Sequence, residues 1–188
     1  MTRLLMRLGV VFCLALSSAT FCGAAHAQTA APEEDQAGRD QTREQLRALL
    51  QTEGPKINVA FRQSQSNPYN FVGSMTVGLK NAQSLEIVIS VSKRKTIGFR
   101  IYPHYKGGYI NLGKVSDPAG FAHRLLYLSD QNFLFWGVDD ESDTFSGYTI
   151  TLESGFPAEA IATVLASIHN TDLFVGQLRP MIDGSAAE

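Results

Sequence analysis

The chain has 188 residues, 44% of them hydrophobic and 18% charged, with a formal net charge of -2. This is the composition of a globular protein, and it excludes disordered, collagen-like and polytopic membrane classes. A near-neutral balance also argues against nucleic acid as a partner, because neutralising phosphates needs a clear excess of Lys and Arg on one face.

The N-terminus is read before any fold. Arg3 and Arg7 precede an apolar run from Leu8 to Leu16, which is followed by small residues and Ala25-His26-Ala27. That pattern is a secretory signal peptide over residues 1–27, with the mature chain starting at Gln28. The apolar run is about half of the ~20 residues that a membrane-spanning helix needs, so cleavage is favoured over a retained anchor. Cys22-Gly23 lies near the end of the leader, but the bulky Phe21 before it disfavours lipidation, and Arg3 and Arg7 are not adjacent as a twin-arginine signal requires. Both cysteines, Cys13 and Cys22, leave with the leader. The expected product is a thiol-free, periplasmic or secreted protein held together by an ordinary apolar core. Loss of Arg3 and Arg7 takes the 16 basic residues to 14 against 18 acidic ones, a net of -4.

Along the mature chain, residues 28–39 lack large apolar side chains and read as a flexible tether. From Asp40, Leu46, Leu49 and Leu50 share one helical face, and Gly54-Pro55 stops the helix. KINVAFRQ, YNFVGSMTVGL, SLEIVISVS and TIGFRIYP then read as four antiparallel strands. In the last two, Leu85, Ile87, Ile89 and Val91, then Ile97, Phe99 and Ile101, alternate with more polar residues, so one face meets a core. Pro103 is expected to end pairing, and a short strand is expected at Tyr109 to Leu112. Asp117-Pro118 opens a helix with Phe121, Leu125 and Leu128 on its stripe. QNFLFWGVD and TFSGYTITLE form a second strand pair, and a last helix after Pro157 is broken near Asn170 or Thr171-Asp172. The predicted fold class is α+β: an antiparallel sheet with helices packed on it, in the order α-β-β-β-β-α-β-β-α, as one domain over residues 40–182 with a short tail at 183–188.

The stretch LLYLSDQNFLFWGVDDESDTFSGYTITLESGFPAEAIATVLASIH resembles the second half of YbjN-type domains, which have the fold of class I type III secretion chaperones. Leu128, Asn132, Phe133, Trp136, Asp139, Asp140, Tyr148, Leu152 and Phe156 sit where that pattern places them. The resemblance spans roughly residues 40 to 180, and it rests on spacing and residue type without a catalytic signature. It implies a compact sheet with packed helices, a homodimer and a surface groove that receives a segment of another protein. It implies no catalytic residue. The export signal and the absence of mature cysteines depart from the cytosolic members.

Candidate sites come from local chemistry. Asp139, Asp140, Glu141 and Asp143 are the densest acidic cluster, but a calcium loop counted from Asp139 would put Thr144 where Gly belongs and Ile150 where Glu belongs. The cluster reads as a solvated hairpin turn. Lys93, Arg94 and Lys95 form a basic turn that either guards a strand edge or, with Arg100 and Lys106 on the same side, docks an acidic partner. His104, His123 and His169 lack metal-ligand spacing, and no serine lies in a G-x-S-x-G frame, so neither a metal nor a catalytic centre nor a cofactor is called for. Phe133 and Phe135 are expected on a buried strand face, which turns Trp136 outward. Trp136, Tyr148, Phe145, Arg94 and Arg100 are therefore the candidate protein-binding residues. The expected function is a non-enzymatic, chaperone-like or regulatory module of the cell envelope. The alternative is a small-molecule or lipid carrier with a cleft between the sheet and the second helix.

Overall fold

Alternation decides the sheet, and the sheet decides where everything else packs. The computed structural model describes residues 33–184; the expected leader, residues 28–32 of the tether and residues 185–188 lie outside them. Helix α1 spans Glu33–Glu53 and continues through a 3-10 turn, Gly54–Ile57. Strands β1 (Arg62–Gln63), β2 (Asn70–Met75), β3 (Ser84–Val91), β4 (Thr96–Tyr105) and β5 (Gly108–Tyr109) come next. Then come α2 (Pro118–Asn132), β6 (Phe135–Val138), β7 (Thr144–Thr151), α3 (Ala158–Ser167) and α4 (Asn170–Asp183). The protein is α+β, with a seven-stranded antiparallel sheet in the order β1-β2-β3-β4-β7-β6 and β5 paired on β4.

In β3 and β4 the pairs Leu85↔Pro103, Ile87↔Ile101, Ile89↔Phe99 and Val91↔Ile97 stack one apolar face. Every one of the seven aliphatic and aromatic residues in that set is at most 1% exposed. Helix residues Leu46, Leu50, Phe121, Leu125, Leu128, Ile161, Leu165, Val175 and Leu178 close over this face in a single apolar cluster. Burial of side chains this size contributes about 1.5–3 kcal/mol each, and this is where the fold's stability resides. The opposite face carries Ser74, Glu86, Val88, Ser90, Gly98, Arg100 and Tyr102, half-buried or exposed, and among the described residues no helix packs on it.

Several expectations are corrected. Residues 33–39 of the expected tether are helical, because Arg39 lies two turns before Leu46 on the same stripe and has its own anchor. Its guanidinium donates twice to the Val91 carbonyl, at 3.0 and 2.7 Å, and stacks 3.5 Å above the Tyr69 ring. KINVAFRQ is not a strand over its length. Asn58 turns the chain in the left-handed region (φ 57), its backbone N–H and that of Val59 close onto Pro55 and Gly54, and only Arg62 and Gln63 pair. Pro103 ends one ladder only: β7 pairs with β4 as far as Ile101, while β3 pairs on to His104. The short strand is Gly108–Tyr109, and Asn111 adds an isolated bridge to Asp143. The last helix does break, at Ile168 and His169, but the chain then forms a full helix of 14 residues that reaches Asp183.

Asp117 caps α2 as its sequence position predicts, accepting from the Gly120 N–H at 3.0 Å with Pro118 in the first turn. Asp172, in the first turn of α4, does more. It is 3% exposed and accepts from the backbone N–H groups of Lys80, Asn81 and Ala82 at 2.9, 2.8 and 2.7 Å, and from Asn81 Nδ2 at 3.3 Å. One carboxylate thus satisfies the loop between β2 and β3 and ties it to the C-terminal helix. Burial raises this carboxyl's pKa, but the donors from Ala82, Lys80 and Asn81 outweigh it and hold the group below the ordinary aspartate range.

Candidate functional site

The uncovered sheet face carries a row of rings that crosses four strands. Phe135 of β6 and Phe145 of β7 meet edge to face with centroids 6.0 Å apart. Phe145 approaches Tyr102 of β4 at 5.3 Å, Tyr102 approaches Tyr109 of β5 at 5.7 Å, and Tyr109 meets His104 at 4.2 Å. Two glycines make this possible. Phe135 pairs with Gly147 and Phe145 pairs with Gly137, and each ring lies over its glycine. A Cβ on Gly147 would sit 2.5 Å from the Phe135 ring and 2.7 Å from the Phe99 carbonyl, and one on Gly137 would sit 2.8 Å from the Phe145 ring. The rings can lie down on the sheet only because those positions carry no side chain.

Arg100 stands over this row. Its guanidinium is 4.7 Å from the Phe145 centroid, a cation–π distance. Among the described residues no carboxylate forms an ion pair with it. Burial raises the Tyr102 phenol pKa, Arg100 partly offsets that rise, and the Asp139 carboxylate adds to it. At the end of the row, Glu86 accepts from the Tyr109 hydroxyl at 3.0 Å and lies 4.0 Å from His104 Nε2. Burial, then that carboxylate, push the Tyr109 phenol up to about 12, so it remains a donor at every physiological pH. Beside the row the face sinks into an open cleft of about 510 Å³, with small residues Ser90, Gly98 and Thr149 on its floor and Arg100, Phe135 and Phe145 on its wall.

The structure divides the five residues singled out from the sequence. Arg100 and Phe145 belong to the open face. Phe145 is only 5% exposed, because Arg100, Tyr102 and Phe135 cover its ring. Trp136 and Tyr148 lie on the helix-covered face, which reverses the expected orientation. Trp136 packs edge-on against Phe174 of α4 at 6.2 Å, and the Tyr148 hydroxyl is 3.5 Å from Ser167 Oγ of α3. The expected burial of Phe133 and Phe135 is reversed with it: Phe133 is 95% exposed at the left-handed C-cap of α2 (φ 52), and Phe135 is 40% exposed. The physical reason lies across the strand pair, where Trp136 faces the small Ser146 and has room under the helices, while Phe135 faces Gly147.

Arg94 is exposed in the β3–β4 turn, where its backbone N–H donates to Ser92 Oγ, and it does not line the cleft. Lys106 is not beside it. Ten residues of β4 separate the two turns, a span of roughly 30 Å at strand rise, and Lys106 instead bonds Asp183 at 2.7 Å. The acidic turn uses its own carboxylates: Asp139 accepts from the backbone N–H groups of Glu141 and Asp143, and Asn111 Nδ2 donates to Asp143. Among the described residues no three His, Cys, Asp or Glu side chains converge as metal ligands. The space between the sheet and α2, where a carrier would need its cleft, is filled by Phe121, Leu125 and Leu128, each at most 7% exposed. Phe135, Tyr102 and Tyr109, aromatic residues that the sequence offers as a possible groove lining without singling them out as binding residues, complete the site. The two glycines opposite aromatic residues in a strand pair were the signal that could have found Phe135.

No family model, curated protein or solved structure matches the chain.

Proposed function

We propose that this is an exported, non-enzymatic protein-binding module of the cell envelope, of YbjN or secretion-chaperone type, which receives an extended segment of another protein on its open sheet face. The observation that carries the reading is the uncovered face itself, with its row of five rings running beside a cleft floored by small residues. Ligand pockets for small molecules enclose most of their occupant, whereas this cleft is an open trough with a strand floor, a shape suited to a chain lying across it. Strand-floor hydroxyls of Ser90, Thr96 and Thr149 supply polar partners, and the rings supply apolar area.

The same reading carries a homodimer. Leu126 on α2, Phe133 at its C-cap and Val138 on β6 are 72%, 95% and 43% exposed and provide apolar surface for a second copy. The β6 edge itself is blunted, since the Trp136 backbone N–H donates to Ser129 Oγ of α2 at 3.2 Å.

The test is a screen of 12-residue peptides against the mature protein, read by amide chemical-shift changes. Binding peptides should perturb Val88, Gly98 and Thr149, and Gly98→Trp, which fills a position with nothing within 4 Å of its Cβ, should abolish the effect. Shift changes confined to the helical side, or a discrete small molecule retained in native mass spectrometry, would overturn the reading, the latter in favour of a carrier.

A further inference from the structure

We infer that the segment bound on the open face is acidic, and that Arg100 is the residue that selects it. The inference rests on the protein-segment reading above and goes one step further, to the chemistry of the partner.

The argument is one of charge. The sequence has 18 Asp and Glu residues against 16 Lys and Arg. An average surface of this protein is therefore slightly negative. The cleft is the opposite: among the described residues that line it, Arg39 and Arg100 are the only charged ones, and no carboxylate is present. Arg39 has its Nε and one Nη on the Val91 carbonyl and its plane on Tyr69, so its fork is turned into the fold. Arg100 lies over the Phe145 ring, and among the described residues no carboxylate forms an ion pair with it. Two carboxylates act on the row of rings outside the cleft lining: Glu86 is turned to Tyr109 and His104, and Asp139 acts on the Tyr102 phenol.

A guanidinium fixed over an aromatic ring is pre-organised, so little side-chain entropy is lost when its outer edge takes a bidentate carboxylate. Its attraction to the ring beneath it strengthens with the loss of water, which an incoming chain brings about. Exposed at the wall of the trough, Arg100 is placed to receive an Asp or Glu side chain from a strand-like segment, with Phe135 beside it for an apolar neighbour. A basic segment would put like charge against Arg100 in a cleft whose lining holds no carboxylate, so the face discriminates by repulsion as well as attraction.

The experiment uses the mature protein and three fluorescein-labelled heptapeptides of equal length, EDEFEDE, QNQFQNQ and KRKFKRK, with binding read by anisotropy and located by amide shifts. The acidic peptide should bind at least tenfold more tightly than the neutral one and lose affinity steeply between 50 and 300 mM NaCl. Arg100→Gln should reduce its affinity about tenfold while leaving the thermal midpoint within a degree or two; Arg100→Lys should recover only part of it, because the planar fork is lost. Equal binding of acidic and neutral peptides on the open face, with Arg100→Gln indifferent, overturns the acidic preference and leaves the segment-binding reading standing. If no peptide of any charge perturbs Val88, Gly98 or Thr149, both fall.

Discussion

Replacing Asp172 should be among the most damaging single changes in this protein. The carboxylate takes four hydrogen bonds at 2.7 to 3.3 Å, three of them from successive backbone N–H groups in the β2–β3 loop. Lys80 is exposed or half-buried, as is Asn81, so water can reach their N–H groups when the acceptor is removed, but Ala82 is buried and its N–H would be orphaned. One orphaned buried donor costs about 1–3 kcal/mol, and loss of the remaining charge-assisted bonds adds about 1–2 kcal/mol after water substitutes, so Asp172→Ala should cost about 3–4 kcal/mol. Asp172→Asn keeps one acceptor oxygen but turns an NH2 toward donors and should cost about 2 kcal/mol.

The pH dependence is a matter of sign. The folded carboxyl titrates below its unfolded value, so its contribution is full above the unfolded pKa near 4 and is lost as pH falls through the lower folded value. Urea unfolding of wild type and Asp172→Ala at pH 7, 5 and 3 measures both effects. The stability gap should be constant from pH 7 to 5 and narrow toward pH 3. A gap below about 1 kcal/mol at pH 7, or one that does not narrow in acid, would refute the assignment of Asp172 as the clamp between α4 and the loop.

Three further outcomes are expected. Thr144 is fully buried with its Oγ1 unpartnered among the described residues, so Thr144→Val should raise stability by about 1 kcal/mol in a urea melt; a comparable loss would reveal a buried water held by that hydroxyl. Gly147→Ala should cost about 1–3 kcal/mol, because the new methyl meets the Phe135 ring and the Phe99 carbonyl, whereas Gly98→Ala should be neutral or mildly stabilising, and equal effects at the two sites would contradict the stacking of Phe135 on the strand. Phe133→Gly should stabilise the monomer by about 0.5–1 kcal/mol by relieving a left-handed backbone at a 95% exposed position, and a loss that grows with protein concentration would place Phe133 in a dimer contact.

How much the amino acids reveal in advance depends on how local the cause is. The alternation in β3 and β4 and the Asp117-Pro118 start of α2 are written within a few neighbouring residues and stand in the structure where the sequence places them, while the break before α4 falls at Ile168 and His169, just ahead of the expected Asn170 or Thr171-Asp172. The face that Trp136 occupies is not local. Strand β6 has four residues, too few for a periodic signal, and its orientation is settled by which cross-strand partners are glycine and which are Ser or Thr. Asp172 is invisible for the same reason, being bonded to residues about 90 positions away, where a helix-start aspartate looks like any other. The early start of α1 needed Val91 and Tyr69, which no window around Arg39 contains. Among the site residues, Arg100 and Phe145 were found by type, but the pairing of an unneutralised guanidinium with a ring required the register of β4 on β7.

The sheet order has a consequence for the chain as it is made. Strand β7 inserts between β4 and β6, so the meander from β1 to β4 emerges first with one flank of β4 bare. That flank waits for about 40 residues of synthesis, through α2 and β6, before its permanent neighbour exists. During this interval Ile97, Phe99 and Ile101 lie beside an open ladder, the combination most prone to pairing with a stranger. A ribosome pause or a stalled passage through a narrow pore between residues 105 and 144 would therefore be the moment of greatest danger for this protein, and a holding factor that acts on nascent chains would have its greatest effect there.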